Sequence, residues 1–127
     1  MNNSNDSVLL SGRILLAAIF VMSGITKLTQ FGGTVDQIAS VGVPLATVAA
    51  VGAILVEVGG GLSVVFGYKA RLGTWLLFLF LIPTTLLFHN PVTMEGQTIP
   101  FLKNLSIMGG LLVVAGAGAG RLALDSE

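Results

Sequence analysis

PLATVAAVGAILVEVGGGLSVVF, residues 44–66, holds a single ionisable group, Glu57, in a run long enough to cross a bilayer. A hydrocarbon core about 30 Å thick takes about 20 apolar residues as a helix. Three more stretches meet that length, at residues 8–28, 70–89 and 101–120. Each is expected to be helical, because a backbone in lipid has to satisfy its own hydrogen bonds. The expected fold is all-α: an integral membrane four-helix bundle in a single domain over residues 1–127.

Composition supports lipid as the solvent. The chain is 54% hydrophobic and 9% charged, whereas soluble domains carry roughly 25% charged residues. So few charges do not cover a soluble surface of this size. Net charge is zero and no basic run exists, which leaves no electrostatic footing for nucleic acid. With no cysteine, disulfides, thiolate nucleophiles and iron–sulfur ligation drop out. One histidine, His89, does not supply two axial haem ligands, and no metal site of recognisable spacing is present. The first apolar run reads as a retained helix rather than a signal peptide. Its leader has no Lys or Arg, and Arg13 interrupts the apolar core.

The connections complete the layout. Pro44 suits the first turn of the second span, and Pro83 inside the third predicts a kink. Gly67 closes the second span into a short turn, giving an antiparallel hairpin with the third. Phe31, Val35, Ile38, Ala39 and Val43 are spaced for a short amphipathic helix at the interface. Residues 90–100 are polar and turn-rich, like a cap. Lys69, Arg71, Arg121 and Arg13 gather at one face, while Lys27 and Lys103 lie toward the other. By the positive-inside bias both termini of this multi-pass chain are expected in the cytoplasm.

Small residues mark close helix approaches in lipid. Ala49, Ala53, Glu57 and Gly61 recur at i+4; Ser106 and Gly110 share a face with Lys103; Gly116 and Gly120 repeat the spacing. Ionisable groups at this depth cost roughly 2.5–3.5 kcal/mol each, so they should face inward and find partners. The depths of Arg13 and Glu57, counted from the span ends, differ by only ~6 Å, which predicts an intramembrane Arg13–Glu57 ion pair. Lys27, His89, Asn90, Lys103 and Asn104 form a second polar cluster at three span ends. Two ammonium groups, an imidazole and two amides suit an anion or a quinone carbonyl, with His89 as a proton carrier. Snorkelling of helix-end lysines to the headgroups is the competing reading.

The motifs Gly12-Arg13, Ser23-Gly24-Ile-Thr-Lys27, Gly42-Val-Pro44, Glu57-Val-Gly59-Gly60-Gly61, Phe88-His89-Asn90 and Lys103-Asn104 fall in this order along the chain. In combination they resemble the DoxX family of small bacterial membrane proteins, related to the DoxD-type subunits of thiosulfate:quinone oxidoreductase. The resemblance implies a four-helix plasma-membrane protein tied to redox metabolism. Arg13, Lys27, Glu57, His89, Lys103 and Asn104 are the positions that match family motifs.

Three functions compete at this level. One is a redox-associated protein, such as a subunit of a quinone-linked oxidoreductase. It would bind a quinone or a small anionic reductant in an intramembrane cavity, with no covalent cofactor. Another is a non-enzymatic anchor or assembly subunit for oxidoreductase partner subunits, or a homo-oligomer in the bilayer. The third is a small-solute transporter, which a lone membrane Glu would suit. A cationic partner that keeps the Glu ionised makes a poor proton–cation exchanger.

Overall fold

The computed structural model describes residues 3–125, which are helical apart from short connections. In chain order the helices are α1 (Asn3–Thr29), α2 (Phe31–Ser40), α3 (Ala46–Phe66), α4 (Ala70–Phe88) and α5 (Thr98–Ala117). The long helices α1, α3, α4 and α5 are each long and apolar enough to cross a membrane. The four expected spans are therefore present, and the short amphipathic helix foreseen in the first long connection is α2.

Several boundaries differ from the sequence reading for local reasons. Pro44 precedes α3 instead of opening it, because Leu45 adopts a left-handed conformation (φ +54°) and the helix begins at Ala46. Gly67 does end α3, at φ +68°, where a side chain would be strained. Helix α4 continues through Pro83. The last long helix starts at Thr98 rather than residue 101, taking Pro100 into its first turn, where the missing N–H costs nothing. It stops at Ala117; Gly118 and Gly120 then take positive φ values and turn the chain into a strap over residues 118–125.

Helix α3 is central. Helix α1 packs along one side of it and α4 along another, α2 lies against it, and α5 packs mainly on α4. Ala17, Phe20, Val64, Leu77, Leu81 and Leu111 form the buried core. Arg13, Ala17, Phe20 and Gly24 all lie on the buried side of α1. Glycines let the helices approach closely. A Cβ on Gly24 would sit 2.5 Å from Val58 Cγ2 and 3.3 Å from the Val58 backbone nitrogen, and one on Gly61 would sit 2.7 Å from Val21. Gly116 faces open space, whereas Gly110 meets Leu16 and Gly120 meets Leu9.

A contrast between glycines tests this packing. Gly24→Val should cost about 1–3 kcal/mol through overpacking between α1 and α3. Gly109, where an added Cβ would meet nothing within 4 Å, should accept Ala with no loss or a gain of up to about 1 kcal/mol. Thermal unfolding of the two purified variants in one detergent checks this, and equal destabilisation would refute the assigned α1–α3 contact.

Candidate functional site

Two polar groupings sit at opposite ends of the bundle. At the end shared by the start of α1, the α3–α4 turn and the strap, Arg13 is 1% exposed. Its Nη1 donates to Val64 O at 2.9 Å and Val65 O at 3.1 Å, and its Nη2 donates to Leu122 O. A helix C-terminus leaves its last carbonyls without intrahelical partners. Here Ser63 O accepts from Tyr68 N at 3.1 Å, Val64 O and Val65 O accept from Arg13, and Phe66 O accepts from Leu124 N at 2.9 Å. Asp125 adds its N–H to Gly67 O at 3.2 Å, and its Oδ2 accepts the Lys69 N–H at 2.8 Å. Arg13 is thus a buried cap on α3, its charge at the negative end of the helix dipole.

The expected Arg13–Glu57 pair does not form. Helix α1 starts at Asn3, so its first turns overhang α3 and bring Arg13 level with the final turn of α3 rather than its middle. The carbonyls it binds lie about 10 Å farther along α3 than Glu57. Glu57 instead pairs with Lys27, Oε1 to Nζ at 2.7 Å, with the Glu57 side chain 4% exposed and the Lys27 side chain 28%. The contact is ionic, since Glu57 Oε1 lacks hydrogen-bond geometry to any partner. Lys27 Nζ also donates to Ser23 Oγ at 2.7 Å, one turn back on α1.

Beside this pair lies a cavity of about 480 Å³. Lys27 reaches it from α1, Thr34, Gln37 and Ile38 from α2, and Ala49 and Ala53 from α3. Phe80, Pro83, Leu87 and Phe88 of α4 form an apolar wall, and His89 and Gln97 complete the lining. The small residues Ala49 and Ala53 stand on the same α3 stripe as Glu57, where larger side chains would fill the space. Thr34 is held in place by donating to Gln30 O at 3.0 Å. His89 Nδ1 lies 2.8 Å from Gln97 Oε1, which ties the 90–97 connection back to the end of α4. A second groove of about 360 Å³, lined by Met22, Ser23, Thr26 and Gln30, shares Lys27, Thr34 and Gln37 with the cavity.

The five residues expected to converge are only partly brought together. Lys27 and His89 line the cavity; Asn90, Lys103 and Asn104 do not. Asn90 Oδ1 accepts from Val92 N at 2.9 Å and serves the turn after α4. Asn104 Nδ2 donates to the buried Thr85 Oγ1 at 3.1 Å, joining α5 to α4. With Asn104 facing α4, Lys103 sits about 100° around the helix and is exposed. Thr34, Gln37, Thr84 and Gln97 are the polar cavity residues that the sequence reading missed, and Phe80 and Leu87 the apolar ones. The i+4 pair Thr34 and Ile38 on an amphipathic helix was a usable signal for α2, but nothing local marks Gln97.

A family model described as DoxX matches residues 8–90. Inner membrane protein YqjF of Escherichia coli (strain K12) is 34% identical over 98% of this chain and 95% of its own length. Inner membrane protein YphA of the same organism is 34% identical over 93% of this chain and 88% of its own. The ER-derived vesicles protein ERV29 of Saccharomyces cerevisiae is 26% identical over the whole chain, which covers 37% of that protein. No solved structure matches. With its four apolar spans, a multi-pass place in the plasma membrane agrees with these relatives. On the family match and the end-to-end likeness to two inner membrane proteins, the chain belongs to the DoxX family.

Proposed function

We propose that the cavity binds a quinone delivered from the lipid phase, and that the protein works as a redox-associated component of the membrane. The observation that carries this reading is the cavity's construction, an apolar wall of Phe80, Pro83, Leu87 and Phe88 in one lining with Lys27 and His89. Its volume lies within the roughly 300–1,000 Å³ typical of small-molecule sites. A flat ring fills the apolar part, and a ring carbonyl meets the Lys27 ammonium. Electrostatics favours this ligand over a small anionic reductant. The Lys27 charge is already matched by Glu57, and Lys103 stands outside, so the cavity has no spare positive charge. The pairing also weighs against proton–cation exchange, because the Glu57 carboxylate already has the Lys27 ammonium as its counter-ion in place of a transported cation. A bound quinone would supply the electron-carrying chemistry, with electrons passing to or from an oxidoreductase partner.

Titration of decylubiquinone into the purified protein in lipid nanodiscs tests the reading. Saturable binding is expected, weakened about tenfold or more by His89→Phe or by Phe80→Ala. Lys103→Ala should leave it unchanged. Absence of saturable binding, or equal sensitivity to Lys103→Ala, would retire the proposal.

A further inference from the structure

Two polar groups of the cavity lining, Lys27 and His89, are chemically unlike. An ammonium has three donors and no acceptor. Lys27 donates one N–H to Ser23 Oγ at 2.7 Å and balances the charge of Glu57, whose Oε1 lies 2.7 Å from Nζ. Lys27 thus retains donor capacity, and no acceptor, for whatever occupies the cavity. Gln97, also in the lining, presents its amide oxygen to His89 Nδ1 at 2.8 Å. An amide oxygen only accepts, so Nδ1 carries the hydrogen. In a neutral imidazole the other nitrogen, Nε2, then holds a lone pair. Among the described residues Nε2 has no partner.

A quinone carries carbonyl oxygens, which only accept. One is satisfied at Lys27, but the other meets a second lone pair at His89 Nε2. The reduced form carries hydroxyls, each able to donate and to accept. One hydroxyl accepts from Lys27 while the other donates to Nε2. We infer that the cavity discriminates between the two forms of its ligand in favour of the quinol, and that Gln97 is the positioning residue that sets this preference by fixing the His89 tautomer. The inference rests on the quinone reading for the identity of the ligand, but the tautomer stands on the protein alone.

The chain's one histidine makes the tautomer directly readable, since ¹⁵N-histidine labelling reports on His89 and nothing else. In mildly alkaline buffer, the full-length protein in nanodiscs should show the hydrogen on Nδ1 and an unprotonated Nε2. Gln97→Leu should release the ring to a mixture of tautomers. A hydrogen on Nε2 in the unsubstituted protein overturns the inference. Binding supplies the second measurement, under anaerobic conditions with decylubiquinol and decylubiquinone. The quinol should bind about tenfold more tightly, the worth of roughly one net hydrogen bond. In Gln97→Leu the preference should shrink to about twofold while both forms still bind. Equal affinities for the unsubstituted protein overturn the selectivity and leave the quinone site standing. Binding of neither form overturns the quinone site and this inference together.

Discussion

Lys27→Met is expected to be among the most damaging single substitutions in the chain, lowering stability by about 3–5 kcal/mol. The Glu57 side chain it strands is 4% exposed, and its Oε1 has no hydrogen bond to soften the loss of its cation. Folded proteins are stable by about 5–15 kcal/mol, so the loss is a large fraction of the total. The paired variant Lys27→Met with Glu57→Leu should recover most of it, because replacing a buried ion pair by apolar groups of similar size is often close to neutral. Thermal unfolding in detergent compares the three proteins, with Glu57→Leu alone as the fourth corner of the cycle. A double variant no more stable than Lys27→Met would mean that the two groups do not compensate each other. If the pair serves the ligand rather than the fold, the double variant should regain stability without regaining binding of decylubiquinone.

Arg13→Leu is expected to produce a comparable loss, about 3 kcal/mol, by a different route. It strips two carbonyls at the end of α3 and the Leu122 carbonyl of the strap of a charged donor. A hydrogen bond to a charged group contributes about 1.5–3 kcal/mol, partly offset here because a buried guanidinium no longer has to be desolvated. Arg13→Lys should fall between the two, since one ammonium does not reproduce the planar fork that spans three acceptors. The distinguishing measurement is amide hydrogen exchange. The Leu124 and Asp125 N–H groups, which bond Phe66 O and Gly67 O, should exchange faster in Arg13→Leu than in Lys27→Met. Unchanged protection of those two amides would show that Arg13 does not hold the strap.

Much of the architecture was legible in the residues. Apolar runs of bilayer length located α1, α3, α4 and α5, and apolar spacing in the first long connection located α2. Lys27 and His89 were recognisable as cavity residues because polar groups at the ends of apolar helices need a reason to be there. Three parts were not legible. The partner of Glu57 depended on how far α1 overhangs α3, which no count from apparent span ends reveals. The exclusion of Lys103 depended on the rotation of α5 about its own axis, fixed by Asn104 meeting Thr85. The strap depended on positive φ at Gly118 and Gly120, two glycines in a segment whose composition alone reads as a continuing helix.

Sequence by itself determined that the chain lives in lipid, how many helices cross, and which side chains are too costly to face hydrocarbon. Those properties are sums over neighbouring residues, and neighbours along the chain are known without coordinates. Tertiary structure alone decided that Lys27 rather than Arg13 holds Glu57, and that Gln97 rather than Lys103 meets the cavity. Pairing across helices is a matter of register and rotation, set by contacts such as Gly24 against Val58. A shift of one turn, about 5.4 Å, is enough to exchange one partner for another.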